Sequence, residues 1–130
     1  MLAICTDGQE AEISGTADEL RGVRVAIVKF LSTNKSSATL PAALTDPSPY
    51  TTTLSEFLIQ RSSGLTLVKA TQTCLVITGS DDSLARFSTW FNMPQDAPPG
   101  HHSHFEPLPG DPYHSSESIA LVVAISNAGA

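Results

Sequence analysis

The chain has 130 residues, of which 41% are apolar and 15% charged, with seven Lys and Arg against thirteen Asp and Glu. This length holds one domain or two very small ones, and the composition excludes a solvated disordered tail. A formal charge of -6 argues against a nucleic-acid binder, which needs a basic stripe to neutralise phosphates, and no apolar run approaches the ~18 residues of a membrane span.

Met1-Leu2-Ala3-Ile4-Cys5 has no basic segment ahead of its apolar residues, so no signal peptide is expected and a cytoplasmic location is. Residues 2–6 and 10–14 are short β-prone runs separated by Asp7-Gly8, a strong hairpin signal. Thr16-Ala17-Asp18-Glu19 has the form of a capping box. Leu20, Val23, Ile27 and Leu31 follow at helical spacing, which predicts an amphipathic helix stopped near Asn34. A run around Ala38–Ala43 reads as a strand, and Pro41 within it points to a sheet edge. The Asp46-Pro47-Ser48-Pro49 turn leads into Ser55–Arg61. Leu65–Ala70 and Thr73–Thr78 read as strands, and Ser80 caps a second helix with Asp81 and Asp82 at its positive end. Leu84, Phe87 and Phe91 form its apolar stripe, and Pro94 ends it. Gln95–Gly100 is a Pro-rich loop, and His102–Leu108 and Ser118–Ile125 are the last predicted strands. Cys5 and Cys74 both fall in apolar, strand-like contexts, which favours buried free thiols over a disulfide.

Each half thus reads ββαββ. Glu12–Leu20 resembles Val76–Leu84 at an offset of 64, with Ile, Gly, Asp and Leu coincident. Pro49-Tyr50 matches Pro112-Tyr113 at 63, where Phe57-Leu58-Ile59 falls on Ala120-Leu121-Val122. The predicted fold is a single α+β domain of two tandem repeats, about 1–63 and 64–127. One unit alone buries too little surface, so both helices would pack on one face of a shared antiparallel sheet, or of two adjacent ones.

His101, His102, His104 and His114 all lie in the second half. Alternate residues of a strand share a face, so His102, His104 and Glu106 would project together. With His114 or Asp111 from the next turn they could hold a divalent metal. The plainer reading is a polar strand face or a surface that contacts a partner. Neither a metal nor a cofactor is expected. Nucleophilic catalysis has no support: there is no nucleophile elbow, and neither cysteine has an electropositive setting. Gly15-Thr16 and Gly79-Ser80 lack the further glycines and Lys of a phosphate loop and read as turns with caps. Asp81-Asp82 suits the helix dipole without further role. Trp90 falls beside the Phe87/Phe91 stripe and is expected to be partly buried. The surface expected to bind a partner comprises His101, His102, His104, Glu106, Asp111, Tyr113 and His114.

Val76-Ile77-Thr78-Gly79 before the capped helix, then His102-Ser103-His104-Phe105-Glu106, Pro109-Gly110, Tyr113 and Ser118-Ile119-Ala120-Leu121-Val122-Val123, resemble the immunity protein 32 family of bacterial polymorphic toxin systems. The resemblance covers about residues 75–125, and the first half looks like a diverged copy with Thr39 and Pro41 where the histidines would fall. It implies a protein without catalytic residues that neutralises a toxin made by the same cell or its kin. Occlusion of the toxin is the expected mode, and negative charge suits a basic toxin such as a nuclease. The loops Thr33–Ala38, Asp46–Thr52, Asn92–His104 and Pro107–Glu117 are the expected contact elements. The alternative is a small-molecule or metal-binding module that uses the His102/His104 strand. An enzyme using these histidines as acid and base ranks last, because no partner nucleophile is visible.

Overall fold

A computed structural model describes residues 2–126; Met1 and Asn127, which entered the sequence reading at its two ends, lie outside the described residues. Ala3–Thr6 (β1) and Glu10–Gly15 (β2) form the expected hairpin. Gly8 takes φ +92°, a left-handed conformation that costs glycine little. Asp7 Oδ1 closes the turn by accepting the Gln9 and Glu10 N–H groups at 2.9 and 2.8 Å. The capping box opens helix α1, Ala17–Leu31, with Glu19 N–H donating to Thr16 Oγ1 at 3.1 Å and Thr16 N–H to Glu19 Oε1 at 2.9 Å. Leu20, Val23, Ile27 and Phe30 make its buried face. Leu31, expected there, is only half-buried. The helix stops at Ser32, before Asn34, where the Ser32 and Thr33 hydroxyls donate to the Lys29 and Phe30 carbonyls at 2.7 Å each.

Ser37–Pro41 (β3) is an edge strand, as Pro41 requires. Thr52–Leu54 (β4), too short to stand out in the sequence, precedes Glu56–Arg61 (β5). Leu67–Ala70 (β6) and Cys74–Gly79 (β7) form the second hairpin. Ser80 caps α2, Asp81–Ser88, its Oγ accepting the Ser83 N–H at 3.3 Å. A 3-10 turn over Thr89–Phe91 continues the helix, so Leu84, Phe87 and Phe91 still line up in the core. His102–Phe105 (β8) and Ala120–Ile125 (β9) complete the chain order.

The α+β class holds; of the one shared sheet or two adjacent sheets expected, the structure has two, and they are mixed rather than antiparallel. The strand orders are β4-β1-β2-β9-β8 and β3-β5-β7-β6. In each, the pair between the two halves is parallel, β2 with β9 and β5 with β7, and every other pair is antiparallel. Each half begins with a hairpin in one sheet and ends in the other, so neither half closes a sheet by itself.

The registers of the two sheets correspond. Ala3 faces Ser14 as Leu67 faces Thr78, and Glu10 faces Ala120 as Cys74 faces Glu56, each a shift of 64 residues. Phe57 and Ile59 thereby match Leu121 and Val123, all four buried, instead of Ala120 and Val122. The expected offset of 63 at this strand would have turned the buried face outward. Ser37 faces Gln60 as His102 faces Ala124, so Ser37 and Thr39, not Thr39 and Pro41, occupy the places of His102 and His104.

One apolar core joins both sheets and both helices. Helix α1 packs on β2 and on α2, and α2 packs on β7. Phe87 lies edge-on to Phe91 and Phe105 at centroid distances of 5.6 and 5.3 Å, and Phe91 meets Phe57 at 6.1 Å. Both thiols are free; Cys5 is buried, whereas Cys74 is only half-buried. Among the described residues, no helix is long and apolar enough to cross a membrane.

Candidate functional site

Strand β8 is the outermost strand of the five-stranded sheet. Phe105 points into the core, while His102 and His104 are exposed on the opposite face. Their rings stand perpendicular with centroids 4.9 Å apart. Next to them β9 presents Ala120, Val122 and Ala124, and beyond it β2 presents Glu10, Glu12 and Ser14. The register sets Glu12, Val122 and His104 in one row and Ser14, Ala124 and His102 in the next. Small residues on the middle strand and long ones on its neighbours make a trough of about 540 Å³. Two strand spacings put its walls roughly 10 Å apart.

The trough is electrostatically one-sided. Tyr50, from the loop before β4, donates its hydroxyl to Glu10 Oε2 at 2.8 Å. Partial burial and this bond to a carboxylate push the phenol above its usual range. Burial raises the Glu12 carboxyl, and the Glu10 charge raises it further, against an opposing pull from His102. Among the described residues, neither glutamate has an ion-pair partner. His102 Nδ1 lies 2.9 Å from the Gly100 carbonyl oxygen. A carbonyl only accepts, so Nδ1 is the donor of this bond, and in the neutral form of the ring Nε2 keeps the lone pair.

Glu106 does not join the His102–His104 row. The strand ends at Phe105, and Glu106 instead lines a second cavity of about 570 Å³ with His104, Asp111, His114, Trp90 and Leu108. The shared face expected for His102, His104 and Glu106 is therefore not assembled, and no group of three His, Cys, Asp or Glu among the described residues could hold a metal ion. Asp111 is fixed by the Tyr113 and His114 N–H groups, which donate to its Oδ1 at 2.8 and 2.9 Å. Those backbone donors, the Tyr113 one foremost, hold its carboxyl below the usual range, and the His114 ring adds to the effect. His114 Nδ1 lies 3.2 and 3.3 Å from the two Asp111 oxygens. Its Nε2 is buried and meets no protein partner. Trp90 is half-buried, as expected: it lies edge-on to Phe105 at 5.7 Å and forms part of the cavity wall.

The predicted set is thus divided. His104 lies between both concavities, His102 belongs to the trough, and Glu106, Asp111 and His114 belong to the second cavity. His101 precedes β8, and its carbonyl accepts the Ile125 N–H at 2.8 Å. Tyr113 is covered by the Arg86 guanidinium 4.7 Å above its ring. The sequence reading missed Glu10, Glu12 and Tyr50. Glu10-Ala11-Glu12 alternates visibly, but only a parallel pairing between distant strands places it opposite the histidines. Among the described residues, no hydrogen bond joins a histidine to a serine or cysteine. No protein-family model, curated protein or solved structure matches the chain.

Proposed function

We propose that the chain is an immunity protein that binds a cognate bacterial toxin and blocks it by occlusion, without catalysis. One observation carries the reading: outer strand β8 presents exposed His102 and His104 between two concavities. An edge strand offers unpaired backbone groups to a partner, and side chains on either side supply specificity. Leu108, 73% exposed in the loop that follows β8, adds an apolar contact. The formal charge of -6 favours a basic toxin, such as a nuclease. The resemblance of residues 75–125 to the immunity protein 32 family supports the same reading, and it implies action in the cytoplasm of the toxin-making cell or its kin. The test is co-expression with each toxin gene found in its own gene neighbourhood. Growth rescue and a co-purifying complex are expected; no rescue and no complex would reject the reading.

A small-molecule-binding module is a second reading, favoured by the unpartnered His114 Nε2 beside Trp90 in the second cavity. Trp90 is the only tryptophan of the chain, so its fluorescence reports occupancy. Titration with imidazole should change that emission saturably, and a flat response removes this reading. Zinc added to protein purified without a His tag tests the metal version, which fails if neither binding nor melting changes.

A further inference from the structure

We infer that the trough between β2 and β8 is a guanidinium site, which in the complex holds an arginine side chain of the partner protein. The assignment of the arginine to a partner rests on the proposed toxin-covering function; the guanidinium chemistry does not. Glu10 and Glu12 supply carboxylates on one wall. Tyr50 has spent its one proton on Glu10, which leaves an oxygen that accepts. His102 directs Nδ1–H at the Gly100 carbonyl, so its neutral form offers Nε2 as an acceptor on the other wall. These groups call for a ligand that donates in several directions and accepts nothing.

Size then selects among cations. No three of the His, Cys, Asp and Glu groups among the described residues could hold one metal ion. A bare cation cannot bridge walls roughly 10 Å apart. A guanidinium is planar, permanently charged and carries five N–H donors in a fixed fork, so it can bind carboxylates on one side and reach an imidazole on the other. Val122 and Ala124 give its flat face an apolar floor. The pairing with Tyr50 holds Glu10 in place before the ligand arrives, which lowers the ordering cost of binding. Glu12, partly desolvated beside Glu10, gains a counter-charge when the cation enters.

The first experiment uses the full chain and free L-arginine, with L-citrulline as the uncharged isostere. NMR should show the His102 and His104 ring signals shifting together along one saturable curve with arginine, at a dissociation constant on the order of millimolar. Citrulline should leave them still, and Glu12→Gln should weaken the arginine curve at least about tenfold. No saturable shift, or equal shifts with citrulline, overturns the guanidinium site. Melting of Glu12→Gln, expected at or above the parent value, shows that a loss of binding is not a loss of fold.

The second experiment separates the source of the group. Toxin capture should weaken at least about tenfold in Glu10→Gln/Glu12→Gln if the arginine belongs to the partner. Unchanged capture, with arginine binding abolished, overturns the partner assignment and leaves a site for a free guanidinium compound. Absence of any toxin complex with the parent chain rejects the proposed function, and also the partner assignment that rests on it. A positive arginine titration still supports the guanidinium site in that case.

Discussion

Leu20 and Leu84 occupy matching places. Each is the fourth residue after a hydroxyl cap, its N–H donating to the cap carbonyl, Thr16 at 3.0 Å and Ser80 at 2.9 Å, and each is completely buried. The cap fixes where the helix begins, and the start fixes which residue first meets the core. Replacing either Leu by Ala should therefore cost about 2–5 kcal/mol, a large-to-small change at a packed site. Chemical denaturation of the two variants checks this. A loss below about 1 kcal/mol in either would show a site that collapses around the deletion.

The glycines before the two caps should respond differently to substitution. A Cβ on Gly79 would lie 2.6 Å from Ser83 Oγ and 3.1 Å from the Thr66 Cα, a backbone atom that cannot swing aside. On Gly15 the nearest neighbours would be Leu2 Cδ2 at 3.2 Å and Glu19 Cβ at 3.3 Å. Gly79→Ala should destabilise by about 1–3 kcal/mol through overpacking, and Gly15→Ala by clearly less. Thermal melting of the pair gives the comparison, and equal losses would count against it.

Glu12 should make the protein less stable as pH rises. Its carboxyl is raised above the ordinary 4.5 in the folded chain, so the folded state holds this proton more tightly than the unfolded one. The penalty is absent below the ordinary value and fully present above the raised one. Glu12→Gln should thus melt higher than the parent at neutral pH, and the difference should shrink as pH falls and vanish below about 4.5. Melting curves across that range test the sign.

Asp111 should act in the opposite sense. Its carboxyl is depressed below 3.8, so its contribution is present above that value and lost as pH falls through the lowered one. Asp111→Ala removes the acceptor of the Tyr113 and His114 N–H groups. Faster amide exchange at those two residues is expected at neutral pH, with the gap to the parent closing in strong acid. Unchanged exchange would show the turn to be held by other contacts, such as the Thr66 N–H to Tyr113 carbonyl bond of 2.8 Å.

Partner binding should be asymmetric despite the matched registers. His102→Ala/His104→Ala should weaken the proposed toxin complex at least about tenfold, because contacts at the centre of an interface dominate its affinity. Ser37→Ala/Thr39→Ala, at the corresponding places on β3, should leave it nearly unchanged. Both pairs should melt close to the parent, since His102 and His104 are exposed and Ser37 and Thr39 lie at an edge.

By itself the sequence determined what depends on near neighbours. The Asp7-Gly8 turn, the Thr16 and Ser80 caps, the Leu20 and Leu84 stripes and the alternation of β2, β7 and β9 follow from contacts a few residues apart. Pro41 marked an edge because it cannot donate to a ladder. Tertiary structure alone decided which strands pair across the halves. A buried strand reads the same beside any neighbour, so nothing local showed that β2 lies parallel to β9. That one pairing sets Glu12 across β9 from His104, with Glu10 and His102 lining the same trough, and the end of β8 at Phe105 sends Glu106 to another cavity. The histidines were legible as a group because they are close in sequence. Their carboxylate partners were not, because those come from the opposite end of the chain.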